Sequence, residues 1–147
     1  MRKSTRFPAA VHIMTMLAAQ PDEYMSSEII AGSLDTNRVV VRRLLALLAD
    51  AGLVSSQAGV LGGAKLERKA SAISLLDIYQ AVEPESLFRF HNPHPNCPVG
   101  ACVTEDLQKF LDDAERALEQ KLASKTLANV SRRGVQKMKA HLASLES

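Results

Sequence analysis

The strongest structural signal in the chain lies in residues 26–52, SSEIIAGSLDTNRVVVRRLLALLADAG. Its second half carries an apolar stripe with the i, i+3, i+4, i+7 spacing of one helical face, formed by Val41, Leu44, Leu45 and Leu48. The stripe predicts a helix from Arg38 to Ala51. We expect Gly52 to end it, because glycine readily adopts the left-handed conformation that follows many helices.

A shorter helix is predicted just before this one. Ser26 or Ser27 is a suitable N-cap, since a serine hydroxyl accepts a hydrogen bond from an otherwise unpaired backbone N–H. The expected buried side of this helix consists of Ile29, Ile30 and Leu34. The turn residues Asp35, Thr36 and Asn37 separate the two helices. A further helix is predicted from Phe7 to Ala19, so three helices precede residue 52.

A glycine-tipped hairpin is predicted directly after the third helix. Its strands are expected at Leu53–Ser56 and Lys65–Arg68, and the segment between them contains three glycines, Gly59, Gly62 and Gly63. Three helices, a tight turn between the second and third, and then a hairpin predict a winged helix-turn-helix. The expected fold class is therefore mainly α with a small β-hairpin.

The rest of the chain is predicted to be helical around one irregular segment. A helix from Leu75 to Val82 is followed by an irregular segment from Glu85 to Pro98, a long helix from about Thr104 to Ala123, and a weaker helix in two parts over 127–130 and 134–145. We therefore expect a winged-helix domain at 1–83, a cysteine-containing, sensor-like loop at 84–103, and a dimerisation helix with a C-terminal helix at 104–147.

The long predicted helix carries an apolar stripe that resembles a coiled-coil seam. Its members are Leu107, Phe110, Leu111, Ala114, Leu118 and Leu122. The first 80 residues already form a compact module, which leaves the stripe short of partners in its own chain. We therefore expect a homodimer that holds two recognition helices one DNA turn apart, ~34–36 Å, on a palindromic operator.

Composition limits the classes of protein to which the chain can belong. The 147 residues have a net charge of +2, but residues 1–70 hold nine basic against six acidic residues, 71–123 four against nine, and 124–147 five against one. A basic N-terminal module can approach a polyanion.

Two cysteines do not form a disulfide scaffold, and 4% aromatic residues argue against a stacking platform for single-stranded nucleic acid. With no apolar run long enough for a membrane and no signal-peptide cleavage site, we expect a cytoplasmic protein without a membrane partner.

Double-stranded DNA is the partner that this pattern predicts. Arg38 and Arg42 are four residues apart and share one exposed face, from which arginine can contact guanine or phosphate. The alternative is a solvated surface on which these arginines pair with carboxylates. The full set of predicted DNA contacts is Ser26, Ser27, Thr36, Asn37, Arg38, Val39, Arg42, Arg43, Gly62, Gly63 and Lys65. The two wing glycines are included because a tip without side chains fits a minor groove.

Several short motifs make the chain resemble the Rrf2 family of bacterial winged-helix regulators. They are Met1-Arg2, Arg6-Phe7, Ala10-Val11-His12, Val40–Leu45, Ala51–Val54, Gly62-Gly63 with Leu66, Leu75–Tyr79, Ala81–Glu83, Asn96–Gly100, Ala114–Leu118 and Thr126–Ala128. The resemblance implies sequence-specific control of transcription, usually repression, by a dimer joined through the long helix.

The sequence departs from the relatives that bind an iron–sulfur cluster. Those members carry three loop cysteines, whereas here only Cys97 and Cys102 remain and the first position is His91. The acidic ligand that some members supply falls on Pro8, and the wing arginine of some members falls on Ala58. The resemblance therefore implies the branch without a cluster, and no cofactor is expected.

The two cysteines leave three alternatives open. They lie near the predicted start of a helix, which favours a reactive thiolate. Cys97 and Cys102 could form a redox switch, through a disulfide within the loop or between subunits. They could instead hold a metal or an iron–sulfur cluster with His91 and His94. The third alternative is two packed, reduced thiols.

Two other classes of protein compete with the DNA-binding interpretation. An enzyme is not expected, because no catalytic signature is visible in the chain. A winged-helix adaptor that binds protein is the second rival. A DNA-binding protein should lose binding when Arg38 and Arg42 are both replaced by alanine, and its affinity should fall steeply with salt, whereas an adaptor should show no salt-dependent affinity for duplex DNA.

Overall fold

The helices and strands follow the predicted order in the computed structural model, which describes residues 4–147, so the Met1-Arg2 motif lies outside the described residues. The elements are α1 (Arg6–Ala19), α2 (Ser27–Leu34), α3 (Arg38–Asp50), β1 (Val54–Gln57), β2 (Gly63–Leu66), α4 (Leu75–Val82), α5 (Pro98–Ala123) and α6 (Leu127–Glu146). A short 3₁₀ turn, Ala70–Ala72, precedes α4. Six helices and a two-stranded antiparallel hairpin confirm the predicted fold class. No helix of residues 4–147 is both long and apolar enough to cross a membrane.

Helix α1 forms the centre of the core. Its residues Ile13, Met14 and Leu17 are completely buried. They are surrounded by α2, α3, α4, α6 and β2, all of which pack against α1. The stripe predicted on α3 is buried as expected, with Val41 and Leu48 inaccessible to solvent. The core therefore fixes α3 by one face and leaves its other face to solvent.

Side-chain caps set the ends of the helix-turn-helix. The Ser26 hydroxyl accepts a hydrogen bond from the backbone N–H of Ile29 (3.3 Å), and the Asn37 side-chain oxygen accepts one from Val40 (3.1 Å). Asp35 ends α2 in the left-handed conformation, with φ of 53°. The prediction that Ile29 is buried is wrong, since 52% of it is exposed. Successive helical residues point about 100° apart, and the core takes Ile30 instead.

The strands of the wing are shifted relative to the prediction. Val54 pairs with Leu66 and Gln57 with Gly63, so β1 begins one residue late and β2 two residues early. The early start of β2 coincides with an additional strand-like contact, in which Met25 and Ala64 exchange two backbone hydrogen bonds of 2.8 and 2.9 Å. This contact draws the start of β2 against the segment before α2.

Helix α5 begins six residues earlier than predicted, at Pro98 rather than Thr104, so residues 98–103 belong to the helix and not to the loop. Proline is favourable at the first helical position, where its missing N–H has no partner to lose. The Cys97 sulfur caps this end by accepting from the Gly100 backbone N–H at 3.3 Å. Helix α6 is continuous where two parts were predicted. Its Gly134 lies so close to Thr15 of α1 that a Cβ atom would approach the methyl group to 2.8 Å.

Candidate nucleic-acid interface

A groove of about 790 Å³ runs between α3, the N-terminus of α2 and the wing. It brings together six of the predicted contact residues, Ser26, Ser27, Arg38, Arg42, Gly62 and Gly63. Its floor includes Ala46 and Ala49, which continue the Arg38–Arg42 line along α3. The small alanine side chains keep this face of the helix open beyond the two arginines.

Arg38 and Arg42 are both exposed. The ion pairs within residues 4–147 are Arg6–Glu83, Arg68–Asp77 and Arg116–Asp113, and none involves an arginine of α3. Helix α3 therefore presents cations that have no intramolecular carboxylate partner in the described structure. This favours the interpretation as an anion-binding face over the alternative of a paired, solvated surface.

Two acidic residues in the groove were not among the predicted contacts. Glu28 follows the start of α2, and Asp50 ends α3. Negative side chains repel phosphates, so these two positions limit where a polyanion backbone can approach. No local pattern in the sequence predicts that these two residues line the groove. Asp50 lines it only because the wing packs beside α3.

The remaining predicted contacts of the helix-turn-helix lie outside the groove. Val39 and Arg43 are exposed elsewhere on α3, and Thr36 is half-buried in the turn. The oxygens of Ser26 and Asn37 already accept hydrogen bonds as helix caps. These two residues therefore position the helix ends, which carry the unpaired backbone N–H groups that bind anions.

The structure shows why glycine occupies positions 62 and 63 of the wing, which the sequence alone did not reveal. A Cβ atom on Gly62 would lie 2.1 Å from the carbonyl oxygen of Gln57. A Cβ atom on Gly63 would lie 2.1 Å from the carbonyl oxygen of Met25, and its φ is 148°. Glycine is thus required at both positions to close the hairpin and to join it to the segment before α2. The expectation of a tip without side chains is wrong, because the turn at the tip is formed by Val60 and Leu61.

Lys65 lies at the base of the wing rather than at its tip. Its ammonium nitrogen is 4.8 Å from the centroid of the Tyr24 ring, a cation–π contact between two half-buried residues. Tyr24 was not singled out from the sequence, since the two residues meet only when β2 lies beside the start of α2. Lys65 is therefore directed to Tyr24 and does not line the groove.

Helix α5 carries an exposed line of apolar residues along its length. Its members are Val103, Leu107, Phe110, Ala114 and Ala117. Their spacing of four, three, four and three is the heptad pattern of a coiled-coil seam. The remaining residues of the predicted stripe, Leu111, Leu118 and Leu122, are half-buried within the chain, where α5 packs against α4. The predicted stripe is therefore divided between an internal and an exposed side.

The cysteines and histidines do not form a metal site among residues 4–147, where no cluster of three or more potential ligands occurs. Cys97 caps α5 and Cys102 is exposed on the same helix, five residues later. Five residues of helix rise about 7.5 Å, which already exceeds the reach of a disulfide between Cα atoms. A disulfide between Cys97 and Cys102 therefore needs a change at the start of α5, and among residues 4–147 the pair is not gathered with His91 into a set of three ligands.

Comparison with known proteins is consistent with this geometry. The model of the Rrf2 family, described as an iron-dependent transcriptional regulator, matches residues 3–133. A Bacillus subtilis (strain 168) protein named as an HTH-type transcriptional regulator, YwnA, is 45% identical over 129 residues, which cover 86% of this chain and 95% of YwnA.

Solved structures give the same result. A crystal structure described as that of a DNA-binding protein has a TM-score of 0.72 and 41% identity, and the match covers 86% of this chain and 98% of the other. CymR, described as the global cysteine regulator of B. subtilis, has a TM-score of 0.64 and 25% identity, with 90% and 98% of the two chains covered.

Proposed function

Because the chain belongs to the Rrf2 family of transcriptional regulators, we propose that it is a homodimeric, sequence-specific repressor that binds a palindromic operator in double-stranded DNA. The observation that carries this proposal is the groove in which Arg38 and Arg42 face the wing without a carboxylate ion-pair partner in the described structure. A helix of this shape fits the major groove of B-DNA. The protein then acts in the cytoplasm, and this function needs no catalytic residue.

Recognition divides between base edges and phosphates. Arg38 and Arg42 contact guanine edges or phosphates, and we propose that Val39, which is exposed at the start of α3 outside the groove, meets a thymine methyl group. The N-termini of α2 and α3, fixed by Ser26 and Asn37, present backbone N–H groups to the phosphates on either side. Lys65 adds a positive charge at the base of the wing.

Selection of bound fragments from random duplex DNA tests this function directly. The expected product is a two-fold symmetric sequence with half-sites about one turn apart. The double variant R38A/R42A is then compared with wild type on the selected duplex over a range of salt concentrations. Loss of an arginine that contacts a base should weaken binding by about 1–3 kcal/mol. Loss of one that contacts a phosphate should reduce the salt dependence of log affinity by about one unit of slope.

A matched control removes the same charge elsewhere. The variant R89A/R116A changes two exposed arginines of the acidic segment and should leave operator affinity unchanged. Equal losses in the two double variants would mean that net charge alone drives binding. A chain that shows no salt-dependent affinity for any duplex would instead be an adaptor that binds protein.

The dimer rests on the exposed seam of α5. Its 4-3-4-3 spacing pairs two copies in parallel or antiparallel, and the 26-residue helix is about 39 Å long. Two chains joined in this way carry two copies of α3 related by two-fold symmetry, which explains why we expect a palindrome. Repression then follows from exclusion of other proteins at the operator, and transcription from a template that carries the operator should fall when the protein is added.

We also propose that the regulator responds to oxidation through Cys97 and Cys102. A disulfide within the chain requires the first turn of α5 to unwind, since the helical rise separates the two residues by more than a disulfide spans. Two thiols would lose two electrons and two protons to an oxidant such as a peroxide, and the helix that carries the seam would change at its start. Unchanged operator affinity of C97S and C102S under oxidant, relative to oxidised wild type, would contradict this.

An iron–sulfur or metal-bound regulator is the second candidate, which the description of the matching family favours. His91, Cys97 and Cys102 are the residues that would have to serve as ligands. We expect no bound cluster, and absorbance near 400 nm after anaerobic purification would contradict that expectation.

A further inference from the structure

We propose that Val60 and Leu61 at the tip of the wing form an apolar wedge that enters the minor groove beside each half-site and selects A·T over G·C pairs there. This inference rests on the proposed function, since it names a second contact of the same DNA-binding surface. The groove between α3 and the wing connects the two contacts, because the wing residues Val60, Gly62 and Gly63 line the wall opposite Arg38 and Arg42.

The wing tip is a tight turn with two apolar side chains at its apex. The Gly62 backbone N–H donates to the carbonyl oxygen of Gly59 at 3.1 Å, so Val60 and Leu61 are the two central residues of a four-residue turn. Val60 is fully exposed and Leu61 is 89% exposed. No other large apolar residue among residues 4–147 is as exposed as these two.

The exposed pair has no role in holding the wing together. Fully exposed side chains contribute almost no packing energy. The hairpin is held instead by its ladder, by the close approach of Gly62 to Gln57, and by the Met25–Ala64 contact. Substitutions at the apex therefore leave the wing folded, and an apolar apex in a molecule that meets only water has no evident advantage.

The apex also lacks the charged and hydrogen-bonding side chains that bind phosphate. Residues 58–62 are Ala, Gly, Val, Leu and Gly, with no charge and no side-chain hydrogen-bond donor. A wing that served as an electrostatic clamp would carry lysine or arginine at this position. Apolar side chains instead act as wedges against base steps in the minor groove, where they contact the floor.

Minor-groove chemistry gives such a wedge a preference. The floor of an A·T pair presents acceptors only, whereas the amino group of guanine protrudes from the floor of a G·C pair. Valine and leucine cannot accept a hydrogen bond from that amino group, and they would strip it of water, which is unfavourable. The wing tip is thus expected to bind A·T flanks more tightly than G·C flanks.

The test uses the full-length protein and three versions of the selected operator. The half-sites stay constant, and the flanks beneath the wing contain A·T, G·C or inosine·C pairs. Inosine·C has the major groove of G·C but lacks the protruding amino group. We expect wild type to bind the A·T and inosine·C duplexes about tenfold more tightly than the G·C duplex, in line with the usual penalty for one unfavourable pair.

The variant V60S/L61S should lose this preference, with less than a twofold difference between the flanks, and should bind the G·C duplex as wild type does. The control V130S changes an exposed valine on α6 and should retain the full preference. Four results would overturn the inference. They are equal wild-type binding to all three flanks, an inosine·C flank that behaves like G·C, a preference that survives in V60S/L61S, or a wild type that binds no duplex. Only the last of these would also overturn the proposed function, because the other three leave operator binding and its dependence on Arg38 and Arg42 intact.

Discussion

Replacement of Phe110 by alanine should weaken the dimer strongly and leave the protomer intact. Phe110 lies in the middle of the α5 seam and is 70% exposed in the single chain. Full burial of a phenylalanine side chain is worth about 1.5–3 kcal/mol, so burial of the exposed part contributes about 1–2 kcal/mol in each protomer. The two protomers together lose about 2–4 kcal/mol of association free energy, which raises the dissociation constant of the dimer roughly 30- to 700-fold.

Sedimentation equilibrium over a range of concentrations measures this constant. The control is L61A, which truncates a side chain of similar exposure at the wing tip, away from the seam. Thermal unfolding of dilute, monomeric samples should be the same for F110A and wild type, because Phe110 makes little contact within its own chain. A dissociation constant for F110A within threefold of the wild-type value would refute the proposal that α5 forms the dimer interface. A wild-type chain that stays monomeric at micromolar concentration would refute it as well.

Three further outcomes follow from contacts elsewhere in the fold. G63A should lower the free energy of unfolding by at least about 1 kcal/mol in urea denaturation, because φ of 148° and a carbonyl oxygen 2.1 Å away exclude a Cβ atom; G32A, which has open space at its Cβ position, should not destabilise through such a clash. N37A should cost about 1 kcal/mol through loss of the α3 cap and should weaken operator binding by disturbing the start of that helix. Burial, and then the charges of Glu115, Glu83 and Glu119, raise the pKa of Tyr79 above its ordinary value. Its neutral form is favoured by folding, so this stabilisation is complete below about pH 10 and is lost as the pH rises through the folded-state pKa. Y79F should therefore lose less stability than wild type between pH 9 and pH 11.

Helix α3 was predictable because it buries a single face. The Val41–Leu48 stripe fixed both the extent of α3 and the side that stays in solvent, and the structure bears this out. The same logic placed Arg38 and Arg42 on the outside, where they line the groove with the wing. Local periodicity is enough to predict a helix that packs against the core by one face and leaves the other face in solvent.

Features that depend on contacts between distant parts of the chain were harder to predict. The register of β2 depends on Met25, and the position of Lys65 depends on Tyr24, both of which precede α2. The start of α5 was missed because a cysteine sulfur serves as its cap and Gly100 packs against Pro93, neither of which is a common helix signal. Apolar residues on two sides of α5 could not be assigned until the packing against α4 separated them.

The two hydrogen bonds between Met25 and Ala64 have a mechanical consequence. They join the wing to the residue that precedes the Ser26 cap, so we infer that a shift of the wing also displaces the start of α2. In the proposed dimer, we expect operator occupancy to depend on the distance and angle between the two winged units, which helix α5 sets.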